Sequence, residues 1–114
     1  MKYVIAIIHP HKLEDVRDAL IALDIEALAV VEVRRFGSEE EHTEFYRADE
    51  YKVGFMPKTK IEFAVSDELA DQAIDSLQKA ATTGEIGDGR VYVLELAKTM
   101  QIKSGKVDAD VASL

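Results

Sequence analysis

Apolar residues along this chain fall into short continuous runs, runs that alternate with polar residues, and rows at helical spacing. Each pattern points to a different element. Residues 2–9 (KYVIAIIH) form a Val- and Ile-rich run of a length that favours a buried central strand over a helix. After Pro10, Leu13, Val16, Leu20 and Leu23 recur at helical spacing while Glu14, Asp15, Arg17 and Asp18 fill the other face, which predicts an amphipathic helix over about residues 12–24. Strand pattern returns at 28–36 (LAVVEVRRF). It returns again at 58–66, where Ile61, Phe63 and Val65 alternate with Lys60, Glu62 and Ala64, and the two runs can pair as a long hairpin. Asp67 is expected to N-cap a second helix that carries Leu69, Ala73, Ile74, Leu77 and Ala81 on one face and ends near Gly84. A last apolar strand covers 91–96, and the tail from residue 97 to 114 loses periodicity.

The resulting order, β-α-β-β-α-β, is the split βαβ or ferredoxin-like arrangement, an α+β fold with two helices on one face of a four-stranded antiparallel sheet. At 114 residues, with no internal repeat and no Gly-, Ser- or Pro-rich linker, a single domain over 1–114 is expected. The first strand is apolar at both parities, Val4, Ala6 and Ile8 against Tyr3, Ile5 and Ile7. Two helices cover only one sheet face, so the chain is expected to oligomerise through the other.

Charge and composition narrow the chemistry. A formal net charge of −8 without a basic stripe argues against nucleic acid as a partner. The absence of cysteine removes disulfides, thiolate metal sites and cysteine nucleophiles. The opening MKYVIAIIHP is too short for a signal peptide or a membrane span, so a cytoplasmic protein without membrane insertion is expected. His9 and His11 lack a visible third ligand and read as surface histidines, with no metal site assigned.

Two segments exceed what the fold needs. The connection 37–57 joins strands that a two- to five-residue loop could join, and it holds six acidic residues beside Phe45, Tyr46, Tyr51 and Phe55. Such a mixture fits a segment that docks into a partner, and it also fits a solvated insertion. The second segment, TGEIGDGR at 83–90, has three glycines that permit backbone N–H groups to converge on an anion, with Arg90 adding a fixed positive charge. A helix C-cap followed by a tight turn accounts for Gly84, Gly87 and Gly89 equally well without a ligand. It is neither a Walker A loop nor a Rossmann fingerprint.

Three blocks, IIHPHKLEDVRDAL, HTEFYRADEYKVGFMPKTKIE and TGEIGDGRVYVL, make the sequence resemble the PII nitrogen-regulatory family over almost its whole length. The resemblance implies a compact homotrimer, ATP or ADP in the clefts between subunits, and a long T-loop (37–57) that engages a regulated enzyme or membrane transporter. It assigns residues 82–90 to a B-loop, in which Gly87, Asp88, Gly89 and Arg90 match the positions that hold nucleotide phosphates, Arg90 standing for the commoner lysine. Ile7, Gly37, Glu62 and Thr83 match positions around the nucleotide, and Lys103 stands where a neighbouring subunit's arginine reaches the phosphates. Lys58 matches the lysine that pairs with 2-oxoglutarate, and Tyr51 the tyrosine that is uridylylated in enteric members.

The sequence also departs from the family pattern. Where the family's T-loop base reads Gly-Arg-Gln-Lys-Gly, this chain has Gly37, Ser38, Glu39, Glu40 and Glu41. Glu39 retains an oxygen for Mg²⁺, but three carboxylates repel a dicarboxylate, so weak or absent 2-oxoglutarate binding is expected. Ala29 and Gln101 replace a threonine and an arginine that usually touch the nucleotide, which lowers the expected triphosphate affinity. His9 and His11 stand where arginine and phenylalanine are typical. An acylphosphatase-like enzyme would need an arginine in the first loop, which reads HPHK, and an RNA-binding module would need stacking aromatics with a basic surround. With no nucleophile triad or carboxylate pair in the sequence, a regulatory binding protein rather than an enzyme is expected. The alternative is a standard PII sensor of ATP, ADP and 2-oxoglutarate controlled through Tyr51.

Overall fold

A computed structural model describes residues 1–36 and 55–108. Its elements run β1 (Lys2–Ile8), a 3₁₀ turn (Pro10–Lys12), α1 (Leu13–Ile21), β2 (Ala29–Arg35), β3 (Met56–Val65), α2 (Asp67–Ala81) and β4 (Arg90–Glu95). The four strands form one antiparallel sheet in the order β2-β3-β1-β4, the ferredoxin-like α+β arrangement expected from the pattern. β1 is central, between β3 and β4, as its continuous apolar run requires.

One face of the sheet carries the core. Val4, Ala6 and Ile8 of β1 pack with Ile61, Phe63 and Val65 of β3 against Val16 and Leu20 of α1 and Ala70, Ala73, Leu77 and Ala81 of α2. Small alanines on α2 let that helix lie close, while the large side chains come from the strands and α1. The opposite parity, Tyr3, Ile5 and Ile7, is only partly covered, and Val31, Tyr92 and Leu94 on the same face remain 45%, 49% and 47% exposed.

Boundaries shift where local hydrogen bonding overrides periodicity. α1 is shorter than the expected 12–24 because the chain leaves it through a Schellman closure: Ile25 N–H donates to the Leu20 carbonyl and Asp24 N–H to that of Ile21. Asp24 holds the left-handed position at φ 62°. Ser66, not Asp67, occupies the N-cap position of α2, with extended φ and ψ. Asp67 is the first helical residue, and its carboxylate accepts a hydrogen bond from the Met1 amine at 2.9 Å. α2 ends at Ala81, three residues before Gly84. β3 opens at Met56, with Arg35 opposite Met56 and Arg34 opposite Pro57, so the β2–β3 ladder takes in the last two residues of the 37–57 segment.

Candidate functional site

The 82–90 loop leaves α2 and enters β4 at one end of the sheet, and its shape follows from two residues. Gly89 sits at φ 110°, and a Cβ built there would lie 1.8 Å from the Ile7 carbonyl oxygen, so the loop packs backbone to backbone against the end of β1. Only glycine permits that approach. Asp88 then turns its side chain back into the loop. Its carboxylate accepts from Thr83 N–H at 2.8 Å, Gly84 N–H at 2.9 Å, the Thr82 hydroxyl at 3.2 Å and the Thr83 hydroxyl. Partial burial works against the charge, but the bonds from Thr83, Gly84 and Thr82 outweigh it and hold this carboxyl well below the usual carboxylate range. Gly84, at φ 84°, is therefore one strut of this knot rather than the residue that ends the helix.

Lys58, near the start of β3, is only 2% exposed and reaches the same loop. Its ammonium donates to the Gly87 carbonyl at 2.7 Å and lies 3.4 Å from His9 Nδ1. His9 Nε2 in turn lies 3.2 Å from Asp88 Oδ1. One ring thus spans β3 and the loop. Its outer side stacks on His11, with ring centroids 5.3 Å apart. A cleft of about 440 Å³ opens beside this network, lined by Leu77 and Ala81 of α2, by Ile7, and by Thr82, Asp88, Gly89 and Arg90.

Of the residues singled out from the sequence, the structure gathers Ile7, Lys58, Thr83, Gly87, Asp88, Gly89 and Arg90 at this end of the sheet; Arg90 faces Ile7 across the β1–β4 ladder. Glu62 shares the sheet face of Ile7 but pairs with Ile5, one same-face step of about 7 Å along β3 from Lys60, the residue opposite Ile7. It contacts Lys60 at 3.9 Å and hydrogen-bonds the Tyr3 phenol, whose pKa burial and this neighbour push up. Lys103 lies in the exposed turn closed by the Met100–Val107 bridge, and among the described residues no hydrogen bond or ion pair joins it to the 82–90 loop. Gly37, Glu39 and Tyr51 lie outside the described residues.

His9 is the residue that the sequence reading missed. The same-face alternation of β1, continued one step past Ile7, would have aimed it toward Lys58, but Pro10 ends the strand pattern there. The loop could hold an anion: Asp88 spends its charge on internal donors, while Arg90 stands exposed at the mouth of the cleft.

Comparison with known proteins agrees with this architecture. The family model described as Nitrogen regulatory protein P-II matches residues 1–106. The chain is 49% identical over 108 residues to the nitrogen regulatory protein GlnK of Escherichia coli K12, covering 95% of this chain and 96% of that protein. It is 46% identical over 110 residues to the nitrogen regulatory protein P-II of Rhizobium etli, covering 96% and 98%. The crystal structure of Arabidopsis thaliana PII bound to citrate superposes with a TM-score of 0.79 at 26% identity, over 99% of this chain and 90% of that one. A match of this length and identity, joined to the structural likeness, makes this chain a member of the P-II nitrogen regulatory family of signal-transduction proteins.

Proposed function

We propose that this protein binds an adenine nucleotide, ATP or ADP, at the 82–90 loop and regulates a partner enzyme or membrane transporter through the 37–57 segment, with weak or absent response to 2-oxoglutarate. The observation that carries this reading is the closure of the loop on Gly89 and Asp88, in which the Asp88 carboxylate is turned onto donors of Thr82, Thr83 and Gly84 while Arg90 stands beside it at the cleft to meet a phosphate. Ile7 supplies an apolar contact for the base, and Gly37, Glu62 and Thr83 complete the surround. The partly covered sheet face, with Val31, Tyr92 and Leu94 in view, supports a homotrimer in which Lys103 of one subunit reaches the phosphates held by the next. Citrate in the plant PII structure supports an anion as ligand for a fold of this kind.

Charge weighs against the keto acid. Lys58, the cation that would meet 2-oxoglutarate, is already engaged with Gly87 and His9, and Glu39, Glu40 and Glu41 add repulsion while offering oxygen ligands for Mg²⁺. No residue is assigned a catalytic role. The protein is proposed to act in the cytoplasm.

Calorimetric titration of ATP, ADP and AMP with Mg²⁺, repeated for ATP with 2-oxoglutarate present, tests the reading. Micromolar nucleotide binding that 2-oxoglutarate leaves unchanged supports it. Tightening by 2-oxoglutarate restores the standard nitrogen sensor, in which uridylylation of Tyr51 would be sought by intact mass. No nucleotide binding overturns it.

A further inference from the structure

The ring of His9 stands between two groups of fixed hydrogen-bonding character. An ammonium can only donate, so Lys58 at 3.4 Å requires that Nδ1 be the acceptor. An ionised carboxylate can only accept, so Asp88 at 3.2 Å requires the proton on Nε2. The neutral Nε2–H tautomer satisfies both partners at once. The imidazolium satisfies only one, because its Nδ1–H would point at an ammonium that has no acceptor to offer.

We infer that His9 is a proton-dependent positioning residue that sets the anion affinity of the 82–90 loop. This rests on the reading of that loop as the nucleotide site. The groups in contact with the ring are Lys58 from β3, Asp88 from the loop and His11 from the 3₁₀ turn; the Gly87 carbonyl is the other partner of Lys58, and Arg90 pairs with Ile7, two residues before His9, at the entrance to β4. Histidine is the side chain whose charge changes within the pH range of living cells. When His9 takes up a proton, its bond to Asp88 becomes a charged pair, and its bond to Lys58 is replaced by repulsion between like charges. Lys58 then keeps Gly87 as its acceptor, and the loop gains one unit of positive charge. A polyphosphate is held more tightly in that state and less tightly in the neutral one. A site with an arginine at position 9 would stay charged throughout and lack the response.

His9→Gln is the informative variant. A glutamine can accept from Lys58 through its oxygen and donate to Asp88 through its nitrogen, but it does not titrate. ADP affinity is measured for the native protein and for His9→Gln at pH 8 and pH 6. The ratio between the two proteins cancels the ionisation of ADP itself. Native affinity relative to the variant is expected to rise about tenfold on going from pH 8 to pH 6, the size of one added unit charge near the phosphates. The response is expected to persist in His11→Gln, which removes the stacked neighbour. A ratio that stays constant overturns the inference and leaves the nucleotide reading standing. Binding in neither protein at either pH overturns the nucleotide reading and the inference with it. Independently, ring ¹⁵N shifts of the native protein at pH 8 are expected to place the His9 proton on Nε2. A proton on Nδ1 overturns the bridge from which the inference starts.

Discussion

A single methyl group at position 89 would collide with backbone, since the nearest atom to a Cβ there is the Ile7 carbonyl oxygen at 1.8 Å and no flexible side chain can give way. Gly89→Ala must therefore move the loop or the end of β1, and at φ 110° it adds backbone strain. We expect a loss of about 2–4 kcal/mol in urea unfolding together with loss of nucleotide binding. Asp88 makes a different prediction. Its carboxyl is held below the ordinary range in the folded chain, so the stability it contributes is fully present above the unfolded value near 4 and is lost as pH falls toward the folded value. Asp88→Asn should thus be less stable than the native protein at pH 6 by about 1–3 kcal/mol, the cost of disturbing several hydrogen bonds to a charged acceptor. That gap should narrow as unfolding is measured from pH 5 down to pH 2.5. A gap that is constant with pH would show that the carboxylate charge is not what the loop is built around.

Elements were readable wherever burial and periodicity point the same way. β1 declared itself by apolar residues at both parities, β3 by the alternation of Ile61, Phe63 and Val65, and α2 by the row from Leu69 to Ala81. Ends of elements were less legible because hydrogen bonds between neighbouring backbone groups decide them. The apolar row on α1 continues to Leu23, yet the helix stops at Ile21, since Leu20 and Ile21 give their carbonyls to the chain folding back at Ile25 and Asp24. The candidate site was legible as a loop and illegible as a network. Gly87, Gly89 and Arg90 signal themselves by type, whereas the link from Lys58 through His9 to Asp88 joins residues far apart in sequence through pairing of β1 with β3. At this scale the Schellman closure is itself testable. Asp24 occupies a left-handed position that glycine adopts at less cost, so Asp24→Gly should raise stability by about 0.5–1 kcal/mol. Thermal unfolding would register it as a higher midpoint, and a lower midpoint would mean that the aspartate side chain stabilises the turn.

For the whole molecule, the two faces of the sheet pose unequal problems. The helices bury Val4, Ala6, Ile8, Ile61, Phe63 and Val65 completely or nearly so, while the other face presents Ile5, Ile7, Val31, Tyr92 and Leu94 with no element over it among the described residues. An apolar sheet face of that kind persists in water when a second copy covers it. Charge sharpens the case, because the helix surfaces carry acidic residues such as Asp15, Asp18, Asp71 and Asp75, and copies with a net charge of −8 repel unless the contact lies away from those surfaces. The sheet face meets that condition, with Lys60 and Glu62 placed on it as an ion pair at 3.9 Å. Sedimentation equilibrium of the native protein is expected to give a trimer. Leu94→Asp, at a position 47% exposed in the single chain, should leave the fold of the subunit in place by circular dichroism and shift the mass toward the monomer. If Lys103 reaches a neighbour's loop, as proposed, nucleotide affinity should fall with it. A variant that becomes monomeric yet binds nucleotide as tightly as the native protein would confine the site to one chain and remove Lys103 from it.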